Sequence, residues 1–123
     1  MGDLSEHFNR REFACKCSCG FADVSPELVK RLEKARVHFN APITINSGCR
    51  CARHNKNVGG LPGSQHVKGT AADIVVKGVK PSVVADWFEK TWPDSGGVGR
   101  YASFTHVDVR PGVSRWRSPH VPK

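Results

Sequence analysis

The chain has 123 residues, 38% of them hydrophobic and 24% charged, enough for one folded domain and too ordinary a composition for wholesale disorder. Lys and Arg number 19 against 11 Asp and Glu, a formal net charge of +8. That charge favours anionic polymers as partners (nucleic acid, anionic lipid or cell wall) without choosing among them.

No apolar run reaches the roughly 20 residues of a membrane span. The opening MGDLSEHFNRREF lacks the apolar core of a secretory signal, so synthesis in the cytoplasm without membrane insertion is expected. Residues 1–24 are polar and rich in Cys and Gly, and are expected to form an irregular cover with one apolar patch, Phe8, Phe13 and Phe21. Ser25-Pro26-Glu27 opens a helix: Ser suits the N-cap, Pro the first helical position, and Glu the positive end of the dipole. Leu28, Leu32, Ala35 and Phe39 continue it as one stripe to about residue 39, before Pro42.

Ile43 to Asn46 reads as a short strand broken by Ser47-Gly48, and Ala52 to Val58 as one or two helical turns. Gly59, Gly60, Pro62 and Gly63 make a loop, and Ala71 to Val76 is a second strand, apolar except for Asp73. Pro81 and Ser82 start a helix carrying Val84, Trp87, Phe88 and Trp92, closed by Pro93. Gly96-Gly97 is expected to turn the chain into a hairpin of Val98–Tyr101 and Phe104–Arg110. The segment 111–123 reads as a Pro- and Arg-rich tail anchored by Trp116. Helices and strands mix without a βαβ repeat, so the expected fold class is α+β, a single domain over 1–123.

Five cysteines fall in two knots, Cys15, Cys17, Cys19 and Cys49, Cys51. An odd number cannot all pair within one chain, and C-x-C spacing differs from the C-x₂-C of common zinc knuckles. They are either small buried hydrophobes with at most one staple, or a structural metal site or disulfide tying the N-terminal segment to the loop after the first strand.

Two segments carry chemistry: Ser64-Gln65-His66 through Asp73-Ile74, and Phe104 through Arg110. Asp73 stands among Ala72, Ile74, Val75 and Val76, where a carboxylate is costly unless a cation meets it. His106 shares a strand face with Phe104, Asp108 and Arg110. Two imidazoles and a carboxylate with a fourth position open to water suit catalytic zinc, which lowers the pKa of bound water towards ~7 and polarises a carbonyl. The bland alternative pairs Asp73 with an Arg or Lys and leaves both histidines as ordinary residues; the joint H-x₆-D and H-x-D pattern favours the metal. His54 reads as a loop-packing residue, and His7, His38 and His120 have no supporting context.

With these motifs the sequence resembles the zinc D-Ala-D-Ala carboxypeptidase and L-alanyl-D-glutamate endopeptidase family of peptidoglycan-cleaving enzymes, which includes phage endolysins and shares its fold with the hedgehog signalling domain. The resemblance rests on Ile45-Asn46-Ser47-Gly48-Cys49-Arg50, on Ser64-Gln65-His66 through Asp73-Ile74, and on Gly97 through Tyr101 leading to His106-Val107-Asp108-Val109-Arg110. Glu12-Phe13 and Arg115-Trp116 extend it over most of the chain. It implies a small antiparallel sheet carrying a Zn²⁺ site, with His66, Asp73 and His106 as ligands. It further implies that Arg50 meets the substrate carboxylate or the oxyanion, a role suited to a guanidinium. Ser64 and Gln65 either line the cleft or form the loop.

Several relatives place an acidic residue three positions before the last zinc-binding histidine, where this chain has Ser103. Asp108, one pleat from His106, replaces it either as general base or as the carboxylate that orients a ligating imidazole. The expected activity is hydrolysis of peptidoglycan stem peptides by a monomer acting at the cell wall, in a phage or prophage lysis or virion-associated setting. One competing reading is a zinc-stabilised cell-wall-binding or virion module without catalysis. The other is a structural or nucleic-acid-associated protein, for which aromatics at 8% and scattered basic residues give little support.

Overall fold

The computed structural model describes residues 4–15, 24–49, 66 and 69–118. Among them the chain forms a 3-10 turn (Arg10–Phe13), helix α1 (Pro26–Phe39), strands β1 (Ile43–Ser47) and β2 (Ala71–Val76), helix α2 (Pro81–Thr91), and strands β3 (Gly96–Arg100), β4 (Thr105–Asp108) and β5 (Val113–Arg117). The five strands make one sheet in the order β1-β2-β4-β3-β5. The first three pairings are antiparallel and β3–β5 is parallel. The fold class is α+β as expected, but the sheet is mixed rather than antiparallel.

Both helices start at proline, whose fixed φ and missing N–H cost nothing in a first turn. Ser25 takes the N-cap position of α1, and its amide donates to Gly69 O at 2.8 Å, fastening the helix start to the entry of β2. Leu28, Val29, Leu32 and Ala35 of α1 and Val84, Ala85 and Phe88 of α2 are buried. They join Ile43, Ile45, Ala72, Ile74, Val76, Val98 and Val107 in one core. Those strand positions alternate with Asp73, His106, Gly97 and Gly99, so one face of the sheet is apolar and the other is free for polar chemistry.

Part of the N-terminal cover lies among the described residues. Phe8 and Phe13 are fully buried, as the sequence suggests, with ring centroids 6.0 Å apart; Phe21 lies outside the described residues. The Cys49 amide donates to Phe13 O at 2.7 Å, which seats the cover against the chain just after β1. Cys15 and Cys49 are both buried, whereas Cys17, Cys19 and Cys51 lie outside the described residues, as do the expected turns at 52–58 and the loop at 59–63.

Glu33 on α1 pins Ser5 and His7. Its carboxylate accepts from Ser5 Oγ (2.8 Å), His7 N (2.9 Å) and His7 Nδ1 (2.5 Å). Burial raises its pKa, but these donors together with the His7 charge outweigh burial and leave it below the ordinary value. A carboxyl with a lower pKa folded than unfolded adds stability above the unfolded value and loses it as pH falls through the folded one. Glu33→Gln is therefore expected to flatten the acid limb of a stability–pH curve and cost about 1 kcal/mol at neutral pH. Denaturant melts at pH 3–7 measure this, and an unchanged acid limb would contradict it.

Two sequence expectations are corrected. Gly96 and Gly97 lie in β3 rather than in a turn, although Gly96 keeps a left-handed φ of 83° that only glycine adopts cheaply. The tail's residues 113–117 form an edge strand, because parallel pairing with β3 satisfies the backbone groups on that side. No helix among the described residues is long and apolar enough to cross a membrane.

Candidate metal centre

The sheet register assembles the site. Asp73 on β2 pairs with His106 on β4, His106 with Gly99 on β3, and Gly99 with Trp116 on β5. Paired residues project from the same face, so these four form a row across the sheet. On the other side Ser47 faces Asp73 across a β-bulge, where the register shifts between Ile45 and Ser47. The bulge re-aims the chain and brings the Gly48 carbonyl to His66, whose Nδ1 donates to it at 2.7 Å.

His66, Asp73 and His106 are all buried, and one donor atom from each lies within 4.8 Å of the other two. Asp73 Oδ1 is 3.3 Å from His66 Nε2 and 3.0 Å from His106 Nδ1. The tautomers follow from the far side of each ring. Gly48 O can only accept, so His66 carries its proton on Nδ1. His106 Nε2 is 2.9 Å from Asp108 Oδ2, which as a carboxylate also only accepts. Neutral imidazoles in these tautomers turn two nitrogen lone pairs onto one carboxylate oxygen. That juxtaposition is repulsive unless a cation sits among the three, and a divalent ion with N and O donors satisfies them together.

Without a metal ion, a proton on His106 Nδ1 takes the cation's place beside Asp73. Burial raises the pKa of Asp73, yet hydrogen bonds from His106 and His66 and their charge bring it down to about 2. Burial lowers that of His106, yet Asp108 and Asp73 drive it above the ordinary imidazole value. Both shifts arise from the pairing of these carboxylates with the imidazoles.

Asp108 is held on both carboxylate oxygens, its side chain wholly inaccessible. Oδ1 accepts from Gly97 N (2.7 Å), Arg110 N (3.1 Å) and Arg110 Nε (2.9 Å). Oδ2 accepts from Arg110 Nη2 (2.7 Å) and His106 Nε2. Burial raises its pKa, but these donors hold the carboxyl far below the usual carboxylate range.

The structure thus brings His66, Asp73, His106 and Asp108 together. Arg50, Ser64 and Gln65 lie outside the described residues, as does His54. Ser103 is exposed in the loop before β4. Sequence reasoning missed Gly97, Arg110 and the Gly48 carbonyl as parts of the site. A Cβ on Gly97 would lie 2.7 Å from Asp108 Cγ, so the glycine vacates the space the carboxylate fills. The alternating Gly97-x-Gly99 in a strand beside the H-x-D motif is the signal that was there to be read.

No curated protein matches the chain. A family model described as peptidase M15 matches residues 6–108, a span containing all three converging donors and Asp108. The chain therefore belongs to the peptidase M15 family, and that membership makes it a metallopeptidase whose buried His66–Asp73–His106 group fits a metal ion.

Proposed function

We propose that the protein is a zinc-dependent peptidase hydrolysing peptide bonds in the stem peptides of bacterial peptidoglycan, as carboxypeptidase or endopeptidase. The single observation that carries this is the convergence of His66 Nε2, His106 Nδ1 and Asp73 Oδ1 in a family of peptidases. Two nitrogens and one oxygen suit zinc, leaving a position for water and substrate. When bound, the ion supplies Lewis acidity, polarising the scissile carbonyl and acidifying water.

The chain's own residues do the rest. Gly48 O and Asp108 fix the tautomers of the two imidazoles, which turns the opposite ring nitrogens towards Asp73. Arg50 is proposed to meet the substrate carboxylate or the developing oxyanion, with Ser64 and Gln65 lining the cleft. The net charge of +8 supports approach to an anionic wall. The resemblance to phage endolysins suggests lysis or virion entry as the setting.

Of the two roles for Asp108, its five donors favour orienting His106 over accepting a proton. Asp108→Asn is expected to weaken zinc binding about 10–100-fold. Full zinc affinity with lost turnover would instead make Asp108 the base.

Incubating zinc-loaded protein with purified peptidoglycan and counting new amino termini tests the activity; chelation should abolish it and zinc restore it. A second reading has one specific observation behind it. Ser103 replaces the acid of several relatives, and Asp108 is fully engaged, which suits a zinc-stabilised wall-binding module. Stoichiometric zinc and wall binding without new amino termini would establish that reading.

A further inference from the structure

We infer that Trp116 is a positioning residue for His106, laid over that ring because Gly99 has no side chain. The inference rests on the metal-peptidase reading above. The indole centroid lies 4.9 Å from the His106 ring, inclined at 50°. Two further contacts fix its place. Nε1 donates to Tyr101 Oη at 3.0 Å, and the Tyr101 ring is stacked on Phe104 at 4.4 Å. The Arg110 guanidinium carbon stands 5.3 Å from the indole centroid, within cation–π range. Beneath it, a Cβ on Gly99 would come within 2.5 Å of indole Cε2 and Nε1.

Two restraints on one imidazole do different work. The hydrogen bond from Nε2 to Asp108 sets the ring's hydrogen-bonding edge but permits tilting about the line joining the two groups. The tilted indole of Trp116 packs against the ring and limits that motion, so Nδ1 stays aimed at the point where Asp73 Oδ1 waits. Arg110 links the two restraints, since it grips Asp108 and lies against the indole. β5 therefore contributes to the site without offering a ligand.

The test compares the parent with Trp116→Ala, Trp116→Phe and Gly99→Ala in the full chain. Zn²⁺ and Co²⁺ dissociation constants come from competition with a chromophoric chelator, alongside the Co²⁺ absorption spectrum and the Tm of metal-free protein. Trp116→Ala is expected to weaken both metals about tenfold or more, the scale seen when a ligand's supporting shell is removed. Gly99→Ala should reproduce the loss by displacing the indole, and Trp116→Phe should recover most of it by restoring a ring face. A purely structural role predicts a lower Tm with unchanged metal affinity and spectrum, and that result would overturn the inference. Should Trp116→Ala not fold, Gly99→Ala and Trp116→Phe decide by the same readout. A parent that binds metal but cleaves no peptidoglycan defeats the peptidase reading alone. A parent that binds neither metal defeats both.

Discussion

Asp73→Ala is expected to abolish stoichiometric zinc binding and to lower peptidoglycan hydrolysis by at least ~10³-fold, since metal assistance contributes several kcal/mol to the transition state. Asp73 supplies the oxygen on which both imidazoles converge, at 3.3 and 3.0 Å. Removing it leaves two neutral donors and an unbalanced cavity. The fold should survive, because the strand around residue 73 is held by apolar neighbours (Ala72, Ile74, Val76) that are all but inaccessible. Metal analysis, circular dichroism and turnover on one preparation separate the cases. A folded Asp73→Ala protein that keeps one equivalent of zinc would mean that the ion sits elsewhere. His66→Ala should behave alike, because its Nε2 is the second converging donor.

Gly97→Ala is expected to cost about 3 kcal/mol, equivalent to a Tm drop on the order of 10 °C. The added methyl would stand 2.7 Å from Asp108 Cγ, and the buried carboxylate cannot move aside without breaking bonds to Arg110, His106 or the residue 97 amide. Breaking a buried ion pair on one side leaves the remaining charge uncompensated, which is the expensive outcome. Gly112→Ala is the control, since a Cβ there meets nothing within 4 Å. Thermal melts of the two proteins check this, and equal Tm values would show that Asp108 relaxes freely.

The clustering of His66, Asp73 and His106 was legible in the sequence because burial makes a charged residue conspicuous. Asp73 interrupts an otherwise apolar strand, and two histidines stand at spacings that put them beside it. The helices were legible for local reasons: Pro26 and Pro81 mark their starts, and apolar residues at helical spacing mark their buried faces. β5 was hidden because parallel pairing with β3 is a long-range contact, and Ser114, Arg115 and Arg117 mask any alternation. β3 was misread at its start because glycine signals a turn. In this strand it answers to its neighbours instead, as Asp108 and Trp116 occupy the volumes beside positions 97 and 99. The role of Asp108 stayed open for a similar reason. Spacing locates a carboxylate on a face, but only coordinates reveal how many donors already hold it.

Bare backbone at positions 97 and 99 carries an implication for reading variation in this protein. Neither glycine has a side chain to offer an electron pair, a charge or a proton, so a survey ranking side chains by reactivity would pass over both. Exhaustive substitution should nonetheless mark them as intolerant beside His66, Asp73 and His106, because each is the mould into which a buried neighbour is cast.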